Sequence, residues 1–209
     1  MAKTGQISTI ARPPRPGEGT VVELARKQIS HPDGSSGVEL AIDLSIAPVP
    51  ERRYVADVAA LTYDEGMVQF LFGQKKIGKS GALRSLIVLQ MTSLAVGQFA
   101  KTLIAVEPGL RKWIEQNGNH GELANIEEEP DQTVTLFANM VGLAFAGPEA
   151  CVDFYHASAF SIHFAQQNKK MAVDPVVRVI LNSGLMIRMI DKLHALEPNF
   201  PKGQGLTDE

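Results

Sequence analysis

An internal repeat constrains the fold of this chain more than any other feature of its sequence. Residues 54–108 and 137–198 follow the same order of hydrophobic runs, turns and helix signals. Aromatic residues bracket the first run of each copy: Tyr54 and Tyr63 in the first, Phe137 and Phe145 in the second. Asp57 corresponds to Asn139. We therefore expect one strand-strand-strand-helix unit to occur twice.

The strands of each copy are predicted from turn chemistry and from runs of β-branched residues. Turns follow the first strands at 64–66 and 146–149, and they contain the glycines that a tight hairpin requires. The second strands are centred on Val68–Phe70 and Val152–Phe154, and the third strands are Leu86–Met91 and Val176–Leu181. The segments between them, 73–82 and 157–174, are predicted to be loops.

Each copy is predicted to end in a helix. Thr92-Ser93 and Asn182-Ser183 supply side chains that accept hydrogen bonds from the first free helical N–H groups. The helices are expected over 94–106 and 184–196. Pro108 and Pro198 should prevent continuation, since proline lacks an N–H donor and clashes with the preceding turn. After Pro108, residues 109–116 could form one or two more helical turns.

These elements predict an α+β fold made of two tandem β-β-β-α repeats, with mostly antiparallel sheet and helices packed on one face. A single repeat leaves an apolar face open, so the two copies should cover each other as an internal pseudo-dimer. The alternating run Val38–Ile46 predicts an added N-terminal strand. The expected divisions are a tail and turn region (1–37), the first repeat with the added strand (38–116), an acidic linker (117–134), the second repeat (135–200) and a C-terminal tail (201–209).

The charge, the hydropathy and the cysteine content of the chain indicate which partners and which location to expect. The net charge is −3, with 20 basic and 23 acidic residues, so no nucleic-acid partner is expected. No apolar run is long enough to span a membrane, and the N-terminus lacks the apolar core of a signal peptide. The single cysteine, Cys151, allows no internal disulfide. We expect a cytoplasmic protein without membrane contact.

One motif suggests a phosphate site. Residues 73–80 read GQKKIGKS, and Gly73, Gly78, Lys79 and Ser80 occupy every fixed position of the nucleotide-binding loop pattern. In such a loop, backbone N–H groups surround the phosphates, the lysine reaches the terminal phosphate and the serine holds Mg²⁺. The repeat places a strand after this segment, where the nucleotide loop needs a helix. A basic hairpin loop is therefore the preferred interpretation, and nucleotide binding is the alternative.

Other clusters give no catalytic or metal site. Cys151, His156 and His163 lie close in sequence but lack a fourth ligand at suitable spacing. No serine stands in a nucleophile elbow. Glu107 and Glu197 recur in both copies, and we interpret them as polar last-turn residues before a terminating proline. No catalytic residue, metal or cofactor is predicted.

The second copy resembles a family of short bacterial and archaeal proteins of uncharacterised function. The resemblance rests on Phe137-Ala138-Asn139, on Val152-Asp153-Phe154, and on the strand Arg178–Leu181 leading into a helix. The first copy departs from it, with Asp57 in place of the asparagine and Gln69 in place of the aspartate. The order of strands before a helix is also similar to SecB-type chaperones, an analogy of fold alone.

The resemblance implies self-association and no catalytic residues. We therefore expect a non-enzymatic protein-interaction module, such as an oligomeric scaffold, adaptor or chaperone-like binder. The segments 73–82 and 157–174 are where the two copies differ most, so function is expected there.

Overall fold

The computed structural model describes residues 20–30, 36–42, 44–76, 83–118, 122–123 and 133–196. The strands are β1 (Thr20–Ser30), β2 (Ser36–Ile42), β3 (Arg53–Ala56), β4 (Val58–Asp64), β5 (Met67–Lys75), β6 (Leu83–Thr92), β7 (Glu122–Leu123), β8 (Val134–Phe137), β9 (Met140–Ala146), β10 (Glu149–His156) and β11 (Lys170–Asn182). The helices are α1 (Ser93–Asn117), α2 (Ala159–Asn168) and α3 (Ser183–Leu196), and a 3₁₀ turn spans Leu44–Ile46. The α+β class and the mostly antiparallel pairing are confirmed.

Two sheets make up the body of the protein. The first runs β2-β1-β11-β10-β9, with β3 also paired to β11, and the second runs β7-β4-β5-β6-β8. Both contain a hairpin closed by two residues. Glu65 and Gly66 have φ of 44° and 82°, and Gly147, before Pro148, has φ of 61°. Positive φ at these positions matches the right-handed twist of the flanking strands, which is why short hairpins use it.

The first predicted strand of each copy is two strands, which corrects the expectation of a continuous strand. The chain breaks at Asp57 and at Asn139, and each side chain accepts a backbone N–H across the break. Asp57 Oδ1 accepts from Lys75 at 2.9 Å, and Asn139 Oδ1 accepts from Ala157 at 2.8 Å. These bonds replace ladder bonds where the strand leaves one sheet and enters the other.

The broken strands connect the two sheets. β3 pairs in parallel with β11, while β4, which follows it, belongs to the other sheet. β8 pairs in parallel with β6, while β9 belongs to the first sheet. The registers correspond: Tyr54 lies opposite Val179, and Leu136 lies opposite Leu89. Through β3 and β8, each half of the chain therefore pairs with the sheet of the other half, and β1 and β2 extend the first sheet further.

Both long third strands carry a bulge next to the second strand. The register shifts between Phe72 and Gly73, and between Phe154 and Tyr155. Measured from the hairpin turns, Phe72 occupies the place of Phe154, so the predicted alignment of Phe70 with Phe154 is wrong by two residues. In β11 the bulge moves the apolar side chains from one face to the other, since an extra residue reverses the alternation.

The main core lies between the two sheets and the helices α1 and α3. Phe70, Phe72, Phe99 and Phe154 are fully or almost fully buried, and the rings of Phe70 and Phe154 lie 6.4 Å apart. A smaller core lies on the outer face of the first sheet, and its members come from β1, β10, β11, α2, the connection between β10 and α2, and the segment after the 3₁₀ turn. They are Val22, Ala47, Tyr155, Ala157, Ala165, Met171 and Val173.

The sequence predicts that helix α1 ends before Pro108, and this prediction is wrong. The helix continues to Asn117, and Gly118 ends it with φ of 83° and an N–H bond to the Ile114 carbonyl. The added turns bury Leu110 completely and place Gly109 against the ring of Phe145. This burial offsets the lost hydrogen bond and the ring clash at the proline, a cost of about 3 kcal/mol in a helix interior.

Three other expectations need correction. The strand predicted at Val38–Ile46 ends at Ile42, and its neighbour β1 joins it to the sheet of the second half through β11. The segment 157–174 is not a loop, because it contains α2 and the start of β11. The linker 117–134 holds the end of α1, β7 and the start of β8.

Candidate functional site

Helix α2 is the element that most distinguishes the second half of the chain from the first. Ser158 begins it by accepting the Ser161 N–H at 3.1 Å, and Lys169 ends it in the left-handed region with φ of 55°. The Lys169 N–H bonds to the Ala165 carbonyl at 3.0 Å. Local capping therefore fixes a helix of 10 residues in a segment that lacks a strong hydrophobic periodicity.

The helix is attached to the body through few side chains. Ala165 packs in the smaller core with Ala157 and Met171. Two hydrogen bonds from the Asn139 side chain fix Ala157, the residue before the N-cap Ser158. The Asn139 side chain accepts the Ala157 N–H at 2.8 Å and donates to the Ala157 carbonyl at 2.7 Å. The start of the helix is thus fixed by a side chain from the break between β8 and β9.

Most apolar side chains of α2 point away from this core. Phe160 is 75% exposed, Phe164 47% and Ile162 43%. The two phenylalanine rings are one helical turn apart and stack at 5.7 Å with an interplanar angle of 27°. We call the paired side chains of Phe160 and Phe164 the α2 apolar surface, and Ile162, two residues from each, lies on the opposite side of the helix. Single exposed apolar residues are common on proteins, but a cluster held on a capped helix is typical of an interaction site.

The segment that carries α2 has no acidic residue of its own. Residues 154–173 contain no aspartate or glutamate, and Lys169 and Lys170 are exposed at the end of the helix. The nearest acidic residues in the fold include Glu23 of β1, which lies opposite Lys170, and Asp174 of β11. His163 lies exposed between Ile162 and Phe164. A ligand of this surface therefore meets aromatic side chains on a helix that carries no acidic residue.

An ion pair lies on the outer face of the first sheet, close to this helix. Arg178 on β11 donates to both carboxylate oxygens of Asp153 on β10, at 2.6 and 2.5 Å. The Tyr155 hydroxyl and the Cys151 thiol lie on the same side of β10 and contact the same carboxylate at 3.5 and 3.8 Å. The corresponding place on the second sheet holds Ala60, Leu71 and Val88, which form a buried apolar cluster.

The pKa values of this cluster follow from burial and from the ion pair. Burial, aided by the charge of Asp153, raises the pKa of Tyr155 to about 12. Burial also raises the pKa of the Cys151 thiol, which makes that cysteine a poor nucleophile because the thiolate is the reactive form. The hydrogen bonds that Arg178 donates to Asp153 raise the pKa of the Arg178 guanidinium. These groups form one hydrogen-bonded network around the Asp153 carboxylate.

The nucleotide-loop motif is only partly within the described residues. Gly73 and Lys75 lie in β5, paired with Ser85 and Leu83 of β6, and a strand follows the motif. Gly78, Lys79 and Ser80 lie outside the described residues. The bulge explains why residue 73 is a glycine without any nucleotide, because a Cβ there would lie 2.9 Å from the Arg84 carbonyl oxygen. Nucleotide binding stays a prediction.

The three residues considered for metal binding occupy different places in the fold and have different contacts. Cys151 contacts Asp153, His156 ends β10, and His163 is exposed on α2. In the part of the chain that the structure describes, no group of three or more histidine, cysteine or acidic residues could hold a metal ion.

Glu107 has more partners than a local last-turn residue would have. It accepts from Arg111 Nε at 2.7 Å and lies 3.2 Å from His194 of α3, while Arg111 also bonds to Asp191. Burial acts to raise the pKa of Glu107, but its hydrogen bonds to Arg111 and His194 hold the pKa below its usual value. The cluster joins α1 to α3, so the interpretation of Glu107 as a purely local residue is wrong. Glu197 lies outside the described residues.

Comparison of the chain with family models, with characterised proteins and with solved structures finds no match. Among the helices of the described residues, none is long and apolar enough to cross a membrane. The interpretation of the α2 apolar surface therefore rests on its own geometry.

Proposed function

We propose that this chain is a non-enzymatic protein-interaction module, a scaffold, adaptor or chaperone-like binder, that docks a partner on the α2 apolar surface. The observation that carries the proposal is the exposed Phe160–Phe164 stack on a helix capped at both ends. Aromatic side chains are the commonest energetic centres of protein interfaces, since they bury a large area at a small entropy cost.

The charge of the site favours one kind of partner. Lys169 and Lys170 follow α2 directly in the chain, and α2 itself carries no acidic residue. An amphipathic peptide segment with apolar side chains at its centre and acidic residues beside them complements this pattern. Opposite charges at the rim assist encounter and exclude basic competitors.

We also infer that the body is an internally duplicated pseudo-dimer. Equivalent parallel strand exchanges, equivalent bulges, and the equivalent roles of Asp57 and Asn139 support this inference. In that view α2 is an insertion in the second copy, between its second and third strands. A helix that occurs in one copy alone can carry an activity that the other copy lacks. The lone cysteine suits the cytoplasm, where we place the protein.

The test is selection from a displayed library of random peptides, with purified full-length protein as bait. Enriched peptides should combine apolar residues with aspartate or glutamate. Binding of an enriched peptide should fall at least about tenfold in the variant Phe160→Ser/Phe164→Ser, since two interface aromatics are worth about 2 kcal/mol or more. The matched control is Leu94→Ser, which removes a 64% exposed apolar side chain from the first turn of α1 and should leave binding unchanged.

Two results would overturn the proposal. One is enrichment of peptides whose binding is insensitive to the double α2 substitution. The other is absence of peptide binding together with binding to vesicles containing phosphatidylserine, which would make the same surface a membrane contact. Unchanged thermal unfolding of the double variant is expected, because Phe160 and Phe164 are exposed, and it rules out misfolding as the cause of any loss.

A further inference from the structure

The edge of the first sheet formed by β9 carries an unused row of backbone hydrogen-bonding groups. β9 pairs with β10 on one side, and no described strand pairs with its other side. The two-residue turn fixes which residues face outward. Ala146 and Glu149 close the hairpin, so the alternation of hydrogen-bonded pairs aims the N–H and C=O groups of Val141, Leu143 and Phe145 away from β10.

The sequence does not protect this edge. Residues 133–148 contain no charged side chain, and proteins normally block exposed edge strands with charge, proline or a cover. The corresponding edge of the second sheet differs in two ways. β7 pairs with β4 at Val58 and Ala59, and the segment 51–66 carries several charged residues. Among the described residues, the β9 edge therefore has neither the pairing strand nor the charged side chains that the β4 edge has.

We propose that a second copy of this chain covers the β9 edge, by antiparallel pairing of β9 with its equivalent about a twofold axis at Leu143. The strand is complementary to itself in this register. Val141 lies opposite the partner's Phe145 on the inner face, and Gly142 lies opposite the partner's Ala144 on the outer face. Large apolar residues meet large apolar residues, small ones meet small ones, and no like charges are opposed.

Burial supports the same arrangement. Val141, Leu143 and Phe145 pack against the main core, and Leu143 and Phe145 remain half-buried at the sheet margin. Pairing would bring the two margins together and remove this remaining apolar surface from water. The two six-stranded sheets would then be continuous across the axis.

The decisive variant is Ala144→Lys. Ala144 is exposed on the outer face, so the monomer should tolerate the lysine. In the dimer the two lysines would be diagonal neighbours, roughly 7–8 Å apart, where like charges repel. We expect the dimer dissociation constant, measured by sedimentation equilibrium, to rise about tenfold or more. Thr62→Lys is the matched control, because Thr62 occupies the equivalent exposed position of β4 and should leave dimerisation unchanged.

Amide hydrogen exchange provides a second measurement that needs no variant. The amides of Val141, Leu143 and Phe145 should be protected at high protein concentration and should exchange rapidly on dilution. A monomer at all concentrations overturns the proposal, as does a dimer insensitive to Ala144→Lys. Protection of these amides in the monomer, or only on addition of a different protein, overturns it as well.

The outcome is separable from that of the α2 proposal. Phe160→Ser/Phe164→Ser should leave the dissociation constant of the dimer unchanged, and Ala144→Lys should leave peptide binding unchanged. Failure of one proposal therefore leaves the other standing.

Discussion

The ion pair between Asp153 and Arg178 allows a quantitative test of how the outer face of the first sheet is stabilised. The second sheet has Leu71 and Val88 at the corresponding positions, both buried. We therefore expect the double substitution Asp153→Leu/Arg178→Val to be accepted, since it copies an arrangement that the same protein already uses. Each single substitution should instead leave one charge without its partner.

The magnitude follows from burial. The Asp153 side chain is 14% exposed and the Arg178 side chain 25% exposed. Breaking a fully buried pair costs about 3–5 kcal/mol, and the residual exposure here lowers that to about 2 kcal/mol for each single variant. The double variant should lie within about 1 kcal/mol of the wild-type protein, because well-packed apolar residues replace buried ion pairs at little cost. The resulting coupling energy is about 3 kcal/mol.

Urea unfolding of the four proteins, followed by circular dichroism, measures this double-mutant cycle. Single variants that each lose less than about 0.5 kcal/mol would mean that the pair behaves like an exposed salt bridge, and the argument from burial would be refuted. A double variant that loses the sum of the two single effects would refute the correspondence with Leu71 and Val88.

Three further predictions concern the same half of the chain and the motif at 73–80. Gly142→Ala should stabilise the fold by about 0.5–1 kcal/mol in urea unfolding, because the added Cβ would lie 3.7 Å from the Tyr155 ring, an ordinary contact; a destabilised variant would contradict this. Tyr155 should titrate near pH 12 in ultraviolet absorbance, and Tyr155→Phe should abolish that transition. Since an unfolded tyrosine ionises near pH 10, stability should fall between pH 10 and 12 in the wild-type protein and fall less in Tyr155→Phe. Mg²⁺ with ATP should not raise the melting temperature, because β5 and β6 surround the motif where a nucleotide site needs a helix; a saturable rise abolished by Lys79→Ala would establish the alternative function.

The sequence predicted the elements that depend on local chemistry. The Gly-containing turns define the hairpins β4–β5 and β9–β10, and the N-cap residues place the starts of α1 and α3 within one residue. These features were accessible because turn conformation and capping are decided by a few neighbouring residues.

The elements that depend on distant contacts were not predicted. The break at Asp57 needs a hydrogen bond from Lys75, eighteen residues away in sequence. The passage of α1 through Pro108 depends on burial of Leu110 and on the contact of Gly109 with Phe145. Local propensity includes neither the distant hydrogen bond nor the tertiary burial. The wrong predictions at Asp57 and Pro108 therefore have the same physical origin.

The sequence indicates the segment that contains the candidate site but does not identify the residues that form it. The segment 157–174 was singled out as different, but its helix was interpreted as a loop and Phe160 and Phe164 were not named. Ser158 is an N-cap residue type, and residues 159–174 after it contain no proline or glycine, which is the signal for a helix that the sequence offers. Exposure could not be inferred, since spacing of four along a helix equally describes a buried face.

Calorimetric titration of full-length protein with an enriched peptide measures directly whether the α2 apolar surface binds a partner. We expect saturable binding with a negative heat-capacity change, as for burial of apolar surface. We also expect a loss of affinity of at least about tenfold in Phe160→Ser/Phe164→Ser, with wild-type affinity in Leu94→Ser. Equal affinity of the wild-type protein and the double α2 variant would contradict the proposal.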